Sequence, residues 1–393
     1  MIEKKIFFNG LNELRAFAAL SVIFHHIELF KNRDHISSLF ESNFFSYFIG
    51  TVGKNGVHLF FVLSGFLITY LLLKEKEKCN TIFFKKFFLR RIFRIWPLYY
   101  LIVLISFILI PFLAHNFAIF EKVPYYYELI SNPENYSFNA ILLYLLILPN
   151  IALSYDFIVP GCSQAWSIGV EEQFYILWPI LVFVFPRKIL VWIFTAILLV
   201  FIFSYVFIQP DAFHLLPKNS SFTAMLLPRI YTLLKIFPFE FMTIGAIGGY
   251  LYAYYKEKIE EFSKSKFLYL IVLGFVFFFL FYSLDFGYFQ GLTLGFLFLF
   301  LILVTINDDN AIVFRNKPLF YLGKVSYGIY MYHPFVMFLV FPFANTYFKD
   351  SFLEYNLFVY FFVFSTTILL SHLSYKYFES VFIKIKDTKY KSL

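Results

Sequence analysis

Along the 393 residues, apolar stretches of about twenty residues alternate with short polar or Lys-rich segments. A helix of about 20 apolar residues crosses the ~30 Å hydrocarbon core of a bilayer. The pattern predicts transmembrane helices over 11–30, 52–73, 95–114, 167–186, 189–208, 238–255, 267–284, 287–306, 325–345 and 355–376. A further apolar run, 139–153, is shorter and reads as a re-entrant or interfacial helix. The expectation is an all-α integral membrane protein with about ten transmembrane helices. It forms one membrane domain over 1–393, with no internal repeat and no soluble appendage.

Composition strengthens this reading. Hydrophobic residues make up 60% of the chain and mean hydropathy is +0.72, against ~45–50% apolar residues in soluble domains. The 61 Phe and 30 Tyr suit lipid contact and interfacial belts. A net charge of +8 on a soluble chain would suggest nucleic acid, but here the position of the charges decides. With ten spans, 24 of the 33 Lys and Arg fall in segments on one side and 8 on the other, while Arg15 lies within a span. Basic residues concentrate in cytoplasmic loops, which places both termini in the cytoplasm and makes 376–393 a basic cytoplasmic tail. The expected location is a membrane, with lipid and no nucleic acid as partner. Cys79 and Cys162 fall on opposite faces and are not expected to pair. Lys4 and Lys5 precede an apolar run without a small-residue cleavage pattern, so 11–30 reads as a retained span.

Polar groups inside these spans are the candidates for chemistry, because a charge near the bilayer centre costs at least ~2.5–3.5 kcal/mol. In LNELRAFAALSVIFHHIELF, Arg15 and His26 lie eleven residues apart and share a helix face to within about 20°, whereas His25 turns about 100° away. In WSIGVEEQFYILWP, Glu171 and Glu172 enter the outer end of the 167–186 span beside Trp166 and Ser167. Counted from the helix ends, Glu172 and His26 reach similar depths, so the carboxylate could orient the imidazole as a general base. Acids at a solvated helix start account for the spacing equally well. Before the third span, Lys85, Lys86, Arg90, Arg91 and Arg94 form a basic cluster. Arginine forks suit phosphate groups, although an anchor to anionic lipid explains such clusters too. Pro97 is expected to break the helix and aim the cluster at a pocket. Gly56, Ser64 and Gly65 suit close helix packing. Ser326, Tyr327, Tyr330 and His333 lie in the inner half of the 325–345 span, with Pro334 a candidate kink.

The ordered set LNELRAFAALSVIFHH, GVHLFFVLSGFLIT, RRIFRIWPLYYL, LPN at 148–150, WSIGVEEQFYILWP and GKVSYGIYMYHP resembles the acyltransferase-3 family of membrane O-acyltransferases over about residues 10–375. The resemblance implies transfer of an acyl group, most often acetyl from acetyl-CoA, to a hydroxyl of a cell-surface carbohydrate or lipid-linked glycan, with no metal. It marks His26, Glu171 and Glu172 as catalytic and Arg90, Arg91 and Arg94 as donor-binding, with Arg15, Trp166 and Ser167 in the same motifs; Ser64, Tyr327 and His333 remain further candidates from their place in the spans. His26 would serve as a general base or an acyl relay. The chain departs from the family pattern at Asn12 and Glu13, where Asp-Gly is usual, and at His58, where Asp is usual. No fused hydrolase-like domain of the kind some members carry is read here. A transporter whose buried charges line a permeation path is the competing class.

Overall fold

The computed structural model describes residues 8–40, 43–208, 221–284, 286–307 and 316–389. Among them the chain is helical throughout, without a strand. The helices in order are α1 (Leu11–Arg33), α2 (Asn43–Cys79), α3 (Phe84–Leu104), α4 (Ile110–Asn116), α5 (Pro124–Ser131), α6 (Phe138–Leu145), α7 (Pro149–Ser154), α8 (Trp166–Val184) and α9 (Arg187–Phe203). There follow α10 (Ser221–Ile236), α11 (Phe239–Tyr254), α12 (Lys256–Ser263), α13 (Lys266–Phe281), α14 (Tyr288–Thr305), α15 (Lys317–Lys324), α16 (Ser326–Tyr347), α17 (Phe352–Leu373) and α18 (Ser380–Lys389).

Seven helical segments among the described residues are long and apolar enough to cross a membrane. Two bent pairs, one ending in α11 and one made of α12 and α13, raise the number to nine. The first expected span, 11–30, which forms α1, is not among them, because its 23 residues carry Glu13, Arg15, Glu28, Lys31 and Arg33. Lys4, Lys5, Lys218 and Arg315, which entered the charge count, and residues 390–393 of the tail lie outside the described residues. The short run 139–153 folds as α6 and α7, of eight and six residues. At 1.5 Å per residue neither approaches the thickness of the hydrocarbon core.

The centre of the molecule is the packing of α2 between α1 and α11. Glycines make it possible. A Cβ on Gly65 would run into the backbone of Met242, and one on Gly245 into the backbone of Val62, so α2 and α11 approach backbone to backbone. Gly56 faces the carbonyl of Ala18 on α1 in the same way. Pro97 does not break its helix: α3 runs through it from residue 84 to 104 and continues by a π turn at 105–109 into α4. Cys79 is exposed, Cys162 is buried, and both are free.

Candidate active site

Two groups of polar side chains meet inside this bundle, one at each end of the apolar stretch of α1. The first gathers around Arg15. Its guanidinium lies within electrostatic reach of Arg94, Tyr175, Arg91 and Glu171, and its Nη1 makes only a long 3.4 Å hydrogen bond to Asn12. Arg91 stacks over Tyr175 at 5.3 Å and Phe87 at 5.6 Å, and its Nε is buried without a hydrogen-bond partner among the described residues. Glu171 closes the group, accepting hydrogen bonds from Ser64 and Tyr175, both at 2.9 Å. Glu172 accepts from the Trp96 indole at 3.2 Å.

This arrangement redraws the arginine trio. Arg90, one of the three expected phosphate ligands, is half exposed and faces Glu75 at 3.7 Å. Arg15 of α1 lies beside Arg91 and Arg94. A helical face relates Arg15 to His26 in the sequence, but only the tertiary packing of α1, α3 and α8 shows that it belongs with the arginines of α3.

The second group gathers around His26, about 16 Å further along the α1 axis. Its Nδ1 lies 2.8 Å from Nε2 of His333 on α16, and the rings stack with centroids 4.9 Å apart. The side chain bonded to His26 is thus a second imidazole, while the Glu172 carboxylate bonds Trp96 of α3. Equal depth counted from the helix ends does not bring the two together, because α8 starts inside the bundle, where Ser167 bonds Tyr330. His25 turns toward α2, where its Nδ1 donates to the Ile49 carbonyl at 2.6 Å and its ring lies against Gly53.

Between the two groups, the start of α8 and the first turns of α16 form a hydrogen-bonded seam. The Tyr330 hydroxyl donates to the Gln164 carbonyl at 2.8 Å and accepts from Ser167 at 2.7 Å. Gln164 Nε2 donates to the Met331 carbonyl at 2.9 Å. Tyr327 donates to the Ile95 carbonyl at 2.8 Å, tying α16 to the arginine helix. Trp166 packs edge-on against Phe61 of α2. His58 lies apart from both groups, stacked on Phe241 with its Nδ1 unpartnered. Among the described residues no group of three or more His, Cys, Asp or Glu is placed to hold a metal ion.

A helical membrane-type bundle with a group of arginines, of which Arg15 and Arg91 are part-buried and Arg94 is exposed, and with an imidazole pair of part-buried His26 and buried His333 defines the class, and comparison with known proteins supplies the family. The model of the acyltransferase-3 family, described as an acyltransferase domain, matches residues 8–376, and the chain belongs to that family. A Staphylococcus aureus (strain COL) protein named provisionally as an O-acetyltransferase is 27% identical over 97% of this chain and 58% of its own length. The O-acetyltransferase OatA of Staphylococcus aureus (strain NCTC 8325) is 26% identical over 94% of this chain and 56% of its own. The peptidoglycan O-acetyltransferase OatA of Listeria monocytogenes is 25% identical over 82% of this chain and 48% of its own. The chain thus spans about half to three fifths of the length of these relatives. No solved structure matches it.

Proposed function

We propose that this chain transfers an acyl group, acetyl from acetyl-CoA, to a hydroxyl of a cell-surface carbohydrate or lipid-linked glycan. The observation that carries the reading is the buried Nε of Arg91, which has no hydrogen-bond partner among the described residues and lies beside Arg15 and Arg94. A guanidinium group with free donors inside a protein is a site for an anionic ligand, and forked donors suit phosphate oxygens. The family membership and the names of the relatives support acyl transfer as the chemistry.

In this reading α1 is the first span of a bacterial cytoplasmic-membrane protein with both termini inside, and the arginine group opens toward the cytoplasm. Arg15, Arg91 and Arg94 hold the phosphates of the donor, while Glu171 and Glu172 fix the geometry of that end. The extended arm of the donor covers the ~16 Å along α1 to bring its thioester to His26. His26 takes the proton of the acceptor hydroxyl, and the oxygen attacks the thioester carbonyl. The carbon–sulfur bond breaks, the acyl ester forms, and the thiolate leaves with the proton as free CoA.

The reading separates donor binding from transfer. Charge-assisted hydrogen bonds contribute ~1.5–3 kcal/mol each, so Arg15→Ala and Arg91→Ala are each expected to weaken acetyl-CoA binding about 10–100-fold. Arg90→Ala removes an exposed pair of at most ~1 kcal/mol and is expected to bind within about fivefold of wild type. Calorimetric titration of the purified proteins with acetyl-CoA checks this. Unchanged affinity in Arg15→Ala and Arg91→Ala would remove the donor site from this end.

A further inference from the structure

The stretch YMYHP, residues 330–334, carries a proline four residues after Tyr330. In an α-helix the carbonyl of residue 330 accepts from the N–H of residue 334. Pro334 has no N–H, yet α16 continues through it, so that carbonyl loses its regular partner within a helix that is otherwise bonded. His333 supplies the missing donor: its Nδ1 lies 2.7 Å from the Tyr330 carbonyl oxygen.

The rest follows from what each atom can do. A carbonyl only accepts, so His333 Nδ1 carries the hydrogen and donates it. With both imidazoles neutral, His333 Nε2 then holds a lone pair, and the atom facing it at 2.8 Å is His26 Nδ1. His26 Nδ1 therefore donates, which leaves the lone pair of His26 on Nε2, away from His333. The turn that sets this up is itself held from outside α16. The Tyr330 side chain is tied to Gln164 and Ser167, and Gln164 reaches back to the Met331 carbonyl.

We infer that His333 is a positioning residue, which uses the Tyr330 carbonyl freed by Pro334 to hold His26 in the tautomer whose Nε2 acts as the base of acyl transfer. The inference rests on the function proposed above and assigns the geometry of its central group. His333 performs for His26 what a carboxylate does in a triad, with a backbone carbonyl as the last acceptor of the chain.

The test uses the full chain purified in detergent, with three variants. His333→Gln keeps an oxygen that accepts from His26 and an amide that donates to Tyr330. His333→Leu keeps the bulk and removes both. His26→Ala serves as the control for the base itself. Nitrogen-15 NMR of histidine-labelled wild type reports directly which nitrogen of His26 carries the proton, whatever the variants do to folding. The expected result is a hydrogen on Nδ1 of His26 in wild type. His333→Leu is expected to lose kcat about 10²–10⁴-fold, the range a mis-set general base forfeits, with KM for acetyl-CoA unchanged. His333→Gln should stay within about tenfold of wild type. A hydrogen on Nε2 of His26 in wild type overturns the inference, as does wild-type kcat in His333→Leu while His26→Ala is inactive. Wild-type transfer by His26→Ala would instead remove the function assigned to His26, a distinct failure.

Discussion

Alanine at His26 is expected to slow acyl transfer about 10²–10⁴-fold while leaving acetyl-CoA binding intact, and phenylalanine at His25 is expected to leave both transfer and binding unchanged. The two histidines are neighbours in sequence with rings 5.4 Å apart, yet their surroundings differ in kind. His26 faces a second imidazole and, through it, a seam of hydrogen bonds leading to α8. His25 is bound to the Ile49 carbonyl and packed on Gly53 in the contact between α1 and α2, where a planar ring of similar size fills the same space. The magnitude for His26 is what a positioned base contributes. Intact donor binding follows because the arginine group lies about 16 Å away along α1. Measuring transfer and binding on the same preparations distinguishes a lost base from a lost fold. Equal loss of transfer in both variants would mean that the α1–α2 contact, rather than His26, is what the reaction needs.

The second large effect is on stability, at the other end of α1. Lys31 has 0% of its side chain exposed, with its Nζ 2.7 Å from Glu28 and 2.6 Å from Asn356 on α17. Glu28 also accepts from Tyr360 at 2.6 Å and from Ser38. The cluster binds α1 to α17 and to the segment that follows α1. Lys31→Met removes the cation and leaves Glu28 ionised in a site with 2% exposure. Breaking one side of a buried pair costs ~3–5 kcal/mol, because an uncompensated charge remains. A marked fall in the thermal unfolding midpoint is expected for Lys31→Met. Glu28→Gln in the same chain should restore part of the loss, since the stranded charge is then gone. An unchanged midpoint in Lys31→Met would show that the pair contributes nothing net.

The helices themselves were legible, because hydrophobic run length is a local property and bilayer thickness is fixed. Nearly every expected span reappears within a few residues of a helix, from 287–306 against α14 to 355–376 against α17. The reading went astray where depth or partnership depends on a neighbouring helix. Lys31 counts as a loop charge by position, but α17 buries it. Glu172 matches His26 in distance from a helix end only if both ends lie at the same surface, and α8 begins inside the bundle. Arg90, Arg91 and Arg94 are equivalent as a local pattern, and only the placement of Arg15 and Glu75 separates them. One signal for the histidine pair was present throughout: the spacing of Tyr330, His333 and Pro334 frees a helix carbonyl and supplies a donor for it. That spacing distinguishes His333 from a histidine that merely precedes a kink.

The central claim is that this chain breaks a thioester and makes an ester, rather than moving a solute across the membrane. Reconstituted in liposomes with acetyl-CoA on the arginine side and an isolated surface glycan on the other, it should release free thiol only when the glycan is present. The glycan should gain one acetyl ester for each thiol released. Passage of the glycan across the membrane with acetyl-CoA left intact would contradict the account.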